Sequence, residues 1–370
     1  MDSRYRLNET SRLLSPSLLI FRTILEQNLE AMIALAGSAD RLRPHVKTHK
    51  MAEIVRLVER KGIHKHKCAT IAEAEMIARA GGTDVLLGYP VVGPNIDRLA
   101  RLIRGFPETQ FRVLVDHPDS ARALSAGVEG IGKPLPVLID LEVGMGRTGI
   151  DPGAGAEELA TLIERLPNLV LDGLHAYDGH IQEADPDERK RIAAPGIEKT
   201  LRLQERLKQR GIEAPRLVLG GTPTFPVHAA LDRPGVECSP GTSVLHDNGY
   251  ATKFPDLPFV PAALLLTRVI SHPRPGRLCL DLGHKAVAAD PVGARLTLLN
   301  IPEATLGGQS EEHLVVETPQ AGQFPPGTAV LAIPTHICPT CALHRRVYVI
   351  EDGALVDEWD VTARDRSIGF

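Results

Sequence analysis

The chain has 370 residues, of which 43% are hydrophobic and 24% charged, a balance that describes a globular protein with a large core and, at this length, two domains. The net charge of −4 gives no electrostatic reason to expect nucleic acid or an anionic membrane as a partner, and no run approaches the ~20 apolar residues of a membrane span. Five cysteines (Cys68, Cys238, Cys279, Cys338, Cys341) do not make a disulfide framework, and the polar start MDSRYRLNETSR lacks the apolar stretch of a signal peptide, so a cytoplasmic enzyme is expected.

Between about residues 40 and 240, short β-type runs alternate with amphipathic helical stretches such as AEIVRLVERKG and EELATLIERL. The runs read as strands are Arg43–Lys47, His66–Ala69, Asp84–Gly88, Phe111–Val115, Leu135–Leu141, Val170–Leu174, Arg216–Gly220 and Gly235–Ser239. Alternation of this kind predicts a parallel sheet, and eight units predict a closed (β/α)₈ TIM barrel. After about residue 252 the texture turns β-rich, with Pro and Gly turns and a hairpin pattern in RVYVI–EDG–ALVDEW. The expected organisation is therefore a barrel over 15–252 and an antiparallel β domain over 253–370, to which residues 1–14 add a strand.

The first strand is chemically unusual. Period-two alternation puts Arg43, His45, Lys47 and His49 on one face, and if Leu42 and Val46 meet the helices, the charged set points into the barrel. A solvated basic patch is the plain alternative. A lysine there, with Arg43, His45 and His49 as cationic neighbours, has its pKa lowered toward the range where the free amine attacks carbonyls.

Further along, Gly144-Met145-Gly146-Arg147-Thr148-Gly149 matches the dinucleotide pattern GxGxxG after a strand, but Asp151-Pro152-Gly153 delays the helix, which removes the N-terminus that a pyrophosphate needs. Arg147 remains a candidate ligand for a phenolate or phosphate. Tyr177 and His180 follow the sixth strand and reach the C-terminal mouth, Tyr177 to stack on a planar ring and His180 as an acid or base, unless both are packing residues. Gly221-Thr222 and Gly241-Thr242 follow the seventh and eighth strands, where barrels frequently bind phosphate through free backbone amides. In the β domain, His336-x-Cys338 puts two donor atoms on the same side of an extended chain and suits a metal such as zinc, with a core cysteine or a Cys338/Cys341 redox pair as alternatives.

RPHVKTHK (43–50), GLHAYDGH (173–180), GGTPTF (220–225), SPGT (239–242) and HICPT (336–340) resemble the D-threonine aldolase and D-serine dehydratase group, fold-type III pyridoxal-phosphate enzymes that include alanine racemase. The resemblance spans almost the whole chain. It implies a homodimer with active sites at the subunit interface, pyridoxal 5′-phosphate (PLP) held as a Schiff base on Lys47, and Tyr177 packed against the pyridine ring. It further implies Arg147 near the phenolic oxygen, a phosphate cradle at Gly221, Thr222, Gly241 and Thr242, and a divalent metal (Zn, Mn, Mg or Co) on His336 and Cys338. Alanine racemase has an arginine where Ser239 stands, so the ring nitrogen here faces a neutral partner.

The implied substrate is a small D-amino acid with a β-hydroxyl, and two reactions are open. With His180 or a metal-bound hydroxide taking the hydroxyl proton, retro-aldol cleavage gives glycine and an aldehyde. With Lys47 taking the α-proton and the metal expelling hydroxide, the enzyme is a D-serine dehydratase type. GLHAYDGH and GGTPTF resemble the aldolases and HICPT the dehydratases; the aldolase is the leading reading. A racemase needs a second base that the sequence does not identify, and a non-catalytic PLP carrier resembles the barrel alone.

Overall fold

The computed structural model describes residues 3–370, so Met1 and Asp2 of the expected N-terminal addition lie outside the described residues. Contacts divide the described residues into two units, one built from residues 3–31, 48–51 and 242–364 and the other from 32–47, 52–241 and 365–370.

The first unit contains β1 (Ser17–Phe21), entirely buried and apolar apart from its first residue. The second carries β2 (Lys65–Cys68), β3 (Asp84–Pro90), β4 (Gln110–Val115), β5 (Leu135–Leu141), β6 (Leu169–Ala176), β7 (Arg216–Leu219) and β8 (Val236–Cys238), all parallel and paired in chain order. Residues 42–45 supply the eighth stave. Leu42 pairs in parallel with Cys238 and His45 with Lys67, while Arg43 N donates to Cys238 O and Lys67 N to Pro44 O, both at 2.9 Å. The sheet thereby closes into the expected parallel α/β barrel.

The extended geometry stops earlier than the alternation suggests. Val46–Thr48 form a 3₁₀ turn, so Lys47 sits on a turn beyond the stave and His49 is not part of its face. Helix starts follow their caps. Thr70 Oγ1 accepts from Glu73 N at 3.1 Å while the Glu73 carboxylate accepts from Ala69 N, a capping box displaced by one residue.

Side chains two residues apart on a strand share a face, which sorts the barrel interior into layers. At the N-terminal end, Arg43, Asp84, Arg112, Asp172, Arg216 and Glu237 form a closed ring of alternating charge. Its contacts are Arg43–Asp84 and Arg43–Glu237 (each 2.6 Å), Arg112–Asp84 (2.7 Å), Arg112–Asp172 (2.6 Å), Arg216–Asp172 (2.9 Å) and Arg216–Glu237. Above it lies a buried apolar cluster of Leu86, Leu114, Leu138 and Val218. The next step along the strands brings Gly88 and Asp140, with Lys67 beside Gly88. Arg43, expected as a neighbour of Lys47, is instead fully buried in the ring with two carboxylates against it.

In the first unit, β1 joins β9 (Ala263–Arg274), β10 (Arg277–Leu280), β11 (Leu296–Leu298), β12 (Thr305–Gln309), β13 (Leu314–Glu317), β14 (Ala329–Pro334), β15 (Arg346–Glu351) and β16 (Ala354–Asp360) in one nine-stranded sheet. Pairing is antiparallel except between β1 and β15. The β15–β16 hairpin turns at Asp352-Gly353, both at positive φ (48° and 78°), as an Asp-Gly turn that follows the strand twist requires. Among the described residues, no helix is long and apolar enough to cross a membrane.

Candidate active site

Three cations converge on one aromatic ring in the barrel unit. Lys47 Nζ lies 5.6 Å, Lys67 Nζ 5.8 Å and Arg147 Cζ 5.0 Å from the Tyr177 ring centroid. Tyr177 extends from the end of β6, and two glycines make room for it. A Cβ on Gly179 would fall 2.1 Å from the Tyr177 hydroxyl, and one on Gly221 would fall 3.0 Å from its ring. The loop after β7 therefore approaches the ring at backbone distance.

Behind the cations runs a buried chain of hydrogen bonds that sequence reasoning missed. His175 on β6 places Nδ1 2.6 Å from Asp140 Oδ1 on β5 and Nε2 2.7 Å from Lys67 Nζ on β2; Thr148 Oγ1 donates to Asp140 at 2.9 Å. A carboxylate only accepts, so Nδ1 carries the proton and Nε2 accepts from the lysine. Burial and the neighbouring Lys67 push His175 below its usual range, which keeps the imidazole neutral. Burial would raise Asp140, but His175 and Thr148 outweigh it and hold the carboxyl low. Burial, then Lys47, bring Lys67 down to about 7. A signal was available in the sequence: a parallel barrel strand reading KHKC departs from the apolar runs such strands normally show.

The glycine loop after β5 positions Arg147. Gly144, Gly146 and Gly149 all have positive φ. The Glu142 carboxylate accepts from Gly144 N and from Gly146 N (2.7 Å), and Asp116 accepts from Gly149 N at 3.0 Å. These amides face the protein's own carboxylates, a physical reason beyond helix position why the GxGxxG match is not a dinucleotide site. His180 is exposed, and its ring lies over Gly144, where a Cβ would come within 2.6 Å of Nε2.

The loops after β7 and β8 are tied to each other and to the residue after Tyr177. Gly241 N donates to Thr222 Oγ1 at 3.2 Å. Asp178 accepts from Thr224 Oγ1 and pairs with His228 Nε2, both at 2.7 Å. Burial alone would raise Asp178, but His228 and Thr224 hold it below the usual carboxylate range. Gly220, at φ 70°, leaves the space that His228 occupies. The Ser239 hydroxyl donates to Arg43 O at 3.0 Å. An aromatic platform, three cations and two glycine-threonine loops fit a flat ligand with several negative groups, and PLP has that form.

In the β unit, the His336–Cys338 segment is not the extended chain expected. His336 caps the helix Ile337–Leu343, and Cys338 lies in its first turn. The two side chains still meet: hydrogen bonding to Cys338, with Asp290 2.5 Å from His336 Nδ1, pushes His336 up to about 9. Cys338 Sγ is 3.3 Å from Thr48 Oγ1 and 3.6 Å from Thr242 Oγ1. Asp247 accepts from Ile337 N (3.0 Å) and Tyr250 N (2.9 Å), fixing where that helix begins. Among the described residues, no group of three or more His, Cys, Asp or Glu side chains is arranged to hold a metal, so His336 and Cys338 stand as a pair. An imidazole beside a thiol is a donor set suited to a borderline divalent ion with its remaining positions open. Cys341 is fully buried, and burial pushes its thiol well up, as in a core cysteine.

Residues 22–245 match the family described as "Alanine racemase, N-terminal domain", and residues 262–350 match "Putative serine dehydratase domain". A D-threonine aldolase of Arthrobacter sp is 31% identical over 361 residues, covering 96% of this chain and 93% of the relative. A D-threo-3-hydroxyaspartate dehydratase of Delftia sp. is 26% identical over 349 residues, covering 86% and 89%. The crystal structure of D-threonine aldolase from Filomicrobium marinum matches with a TM-score of 0.88 at 30% identity, covering 95% of each chain. The chain belongs to the D-threonine aldolase and D-serine dehydratase family, fold-type III PLP-dependent lyases of D-β-hydroxy amino acids with an alanine racemase-type barrel.

Proposed function

We propose that the protein is a PLP- and divalent-metal-dependent aldolase that cleaves D-threonine and related D-β-hydroxy amino acids to glycine and an aldehyde. The observation that carries the cofactor is the convergence of Lys47, Lys67 and Arg147 on Tyr177. Similarity to the Arthrobacter D-threonine aldolase over 96% of the chain supports the reaction.

When bound, PLP supplies an electron sink for the negative charge that develops at the substrate Cα. Lys47 would hold it through its side-chain amine. Tyr177 would pack against the ring, and Arg147 would offer a guanidinium to the phenolic oxygen. The loops at Gly221-Thr222 and Gly241-Thr242 would receive the phosphate, the Gly241 amide exchanging its Thr222 Oγ1 partner for it. Cleavage of the Cα–Cβ bond requires loss of the β-hydroxyl proton, and His180 is the base. In the β unit, His336 and Cys338 would hold a Zn, Mn, Mg or Co ion, which when bound would supply Lewis acidity. Cys338 favours a second reading, the D-serine dehydratase type, in which Lys47 takes the α-proton and hydroxide leaves. The assembly is a homodimer, expected by light scattering at twice the 40.1 kDa of the chain.

Purified protein is assayed with D-threonine for acetaldehyde and with D-serine for pyruvate, before and after chelator treatment. Acetaldehyde release that falls with chelator supports the aldolase; pyruvate without acetaldehyde replaces it with the dehydratase. A preparation that shows no violet chromophore after incubation with PLP overturns both.

A further inference from the structure

We propose that Lys67, fixed by His175 and Asp140, is a positioning residue that keeps the Lys47 amine unprotonated for attack on the cofactor's carbonyl. This deepens the proposed function and rests on its reading of Lys47 as the attachment residue.

The geometry comes first. His45 pairs in register with Lys67, so Lys67 branches from one stave and Lys47 from the 3₁₀ turn that ends its neighbour, two residues beyond the paired position. Both ammonium groups approach the same Tyr177 ring. Lys67 is only 4% exposed, and its stem fills the space beside Gly88, where a Cβ would fall 2.6 Å from Lys67 Cε. The side chain is therefore confined, with its Nζ held at 2.7 Å by an imidazole that can only accept.

The electrostatics follow. The charged and titratable groups around Lys67 are Lys47 and His45 on the adjoining segment, Arg43 in the ring below, Asp140 on β5, Arg147 in the loop after it, and His175 on β6. Asp140, acting through His175, favours a proton on Lys67. Burial and Lys47 bring Lys67 itself down to about 7, so the two lysines titrate as a coupled pair that does not hold both protons at neutral pH; Asp140, through His175, draws the shared proton toward Lys67 and away from Lys47. A neighbouring cation is one established way to make a lysine nucleophilic. Attachment then balances simply: the Lys47 nitrogen lone pair forms the bond to the aldehyde carbon, the nitrogen loses two protons, and the carbonyl oxygen leaves with them as water.

The test uses full-length protein stripped of cofactor, with PLP as probe. The rate at which the violet chromophore returns is measured against pH for the wild type, Lys67→Met and Lys67→Arg. Methionine fills the slot without charge, and the profile is expected to move alkaline by at least about one pH unit, an approximately tenfold slower attachment at neutral pH. Arginine keeps the charge and is expected to retain the wild-type profile. If Lys67→Met does not fold, as circular dichroism will show, Asp140→Asn carries the test, with a smaller shift in the same direction. Borohydride reduction and peptide mapping locate the label. A label on Lys47 with superimposable profiles overturns this proposal alone; a label elsewhere overturns the reading of Lys47 and this proposal with it.

Discussion

Replacing Glu237 by Gln opens the charged ring at the base of the barrel. Glu237 is 2% exposed, accepts from Arg43 Nε at 2.6 Å, meets Lys65 Nζ at 3.0 Å and pairs with Arg216. Burial alone would raise its pKa, but Arg43, Arg216 and Lys65 outweigh burial and hold it down to about 2 from an ordinary 4.5. Moving from 4.5 to about 2 corresponds to roughly 3 kcal/mol of stability at neutral pH. Removing one partner of a buried ion pair typically costs about 3–5 kcal/mol, an independent estimate of the same size.

The variant is therefore expected to be roughly 3–4 kcal/mol less stable in urea unfolding at pH 7, followed by circular dichroism. Because the folded pKa is depressed, the stabilisation is full above the unfolded value near 4.5 and disappears as pH falls through 2. The difference between wild type and variant should thus hold from pH 7 to about 5 and shrink to about 2 kcal/mol at pH 3.5. A difference below about 1 kcal/mol at pH 7, or one that does not narrow on acidification, would refute the ring's stabilising role.

His246 is fully buried with neither ring nitrogen hydrogen-bonded, and burial brings it down to about 4. The unfolded chain takes up a proton near 6.5 that the folded one refuses, so stability declines by about 2 kcal/mol at pH 5, and His246→Leu should remove that decline in urea melts across pH. Gly221→Ala sets a Cβ 3.0 Å from the Tyr177 ring and should weaken PLP binding about tenfold or more in a fluorescence titration; an unchanged affinity would place the cofactor away from that loop. Cys338→Ser replaces a soft donor with a hard one, and bound metal measured by plasma emission is expected to fall at least about tenfold. Equal metal content in both proteins would remove Cys338 from the ligand set.

Much of the barrel could be read from the chain because each strand is a short run bounded by turns and helix caps. Leu135–Leu141 is read to the residue, and the other barrel strands differ by a few positions at their ends. The β15–β16 hairpin is visible in its Asp-Gly turn. Alternation misled at Val46, where a 3₁₀ turn takes Lys47 off the strand face, because periodicity carries no information about where a strand stops. It misled again at His336-x-Cys338, where the pair meets across a helix start. The Asp140–His175–Lys67 chain stayed hidden because its members lie 35 and 108 residues apart and meet only across a closed barrel.

The loop that carries Arg147 is held by groups of its own chain. Glu142, Asp116 and Asp140 take up its amides and the Thr148 hydroxyl before any ligand arrives. A loop ordered in advance gives up little freedom on binding, so under the proposed function the cofactor's affinity would not be reduced by the entropy of arranging Arg147. The same carboxylates cap the backbone donors that a phosphate would otherwise seek, which leaves the guanidinium as the loop's own means of attracting an anion. Preorganisation and selectivity thus come from one set of contacts, and loosening Glu142 would be felt in both.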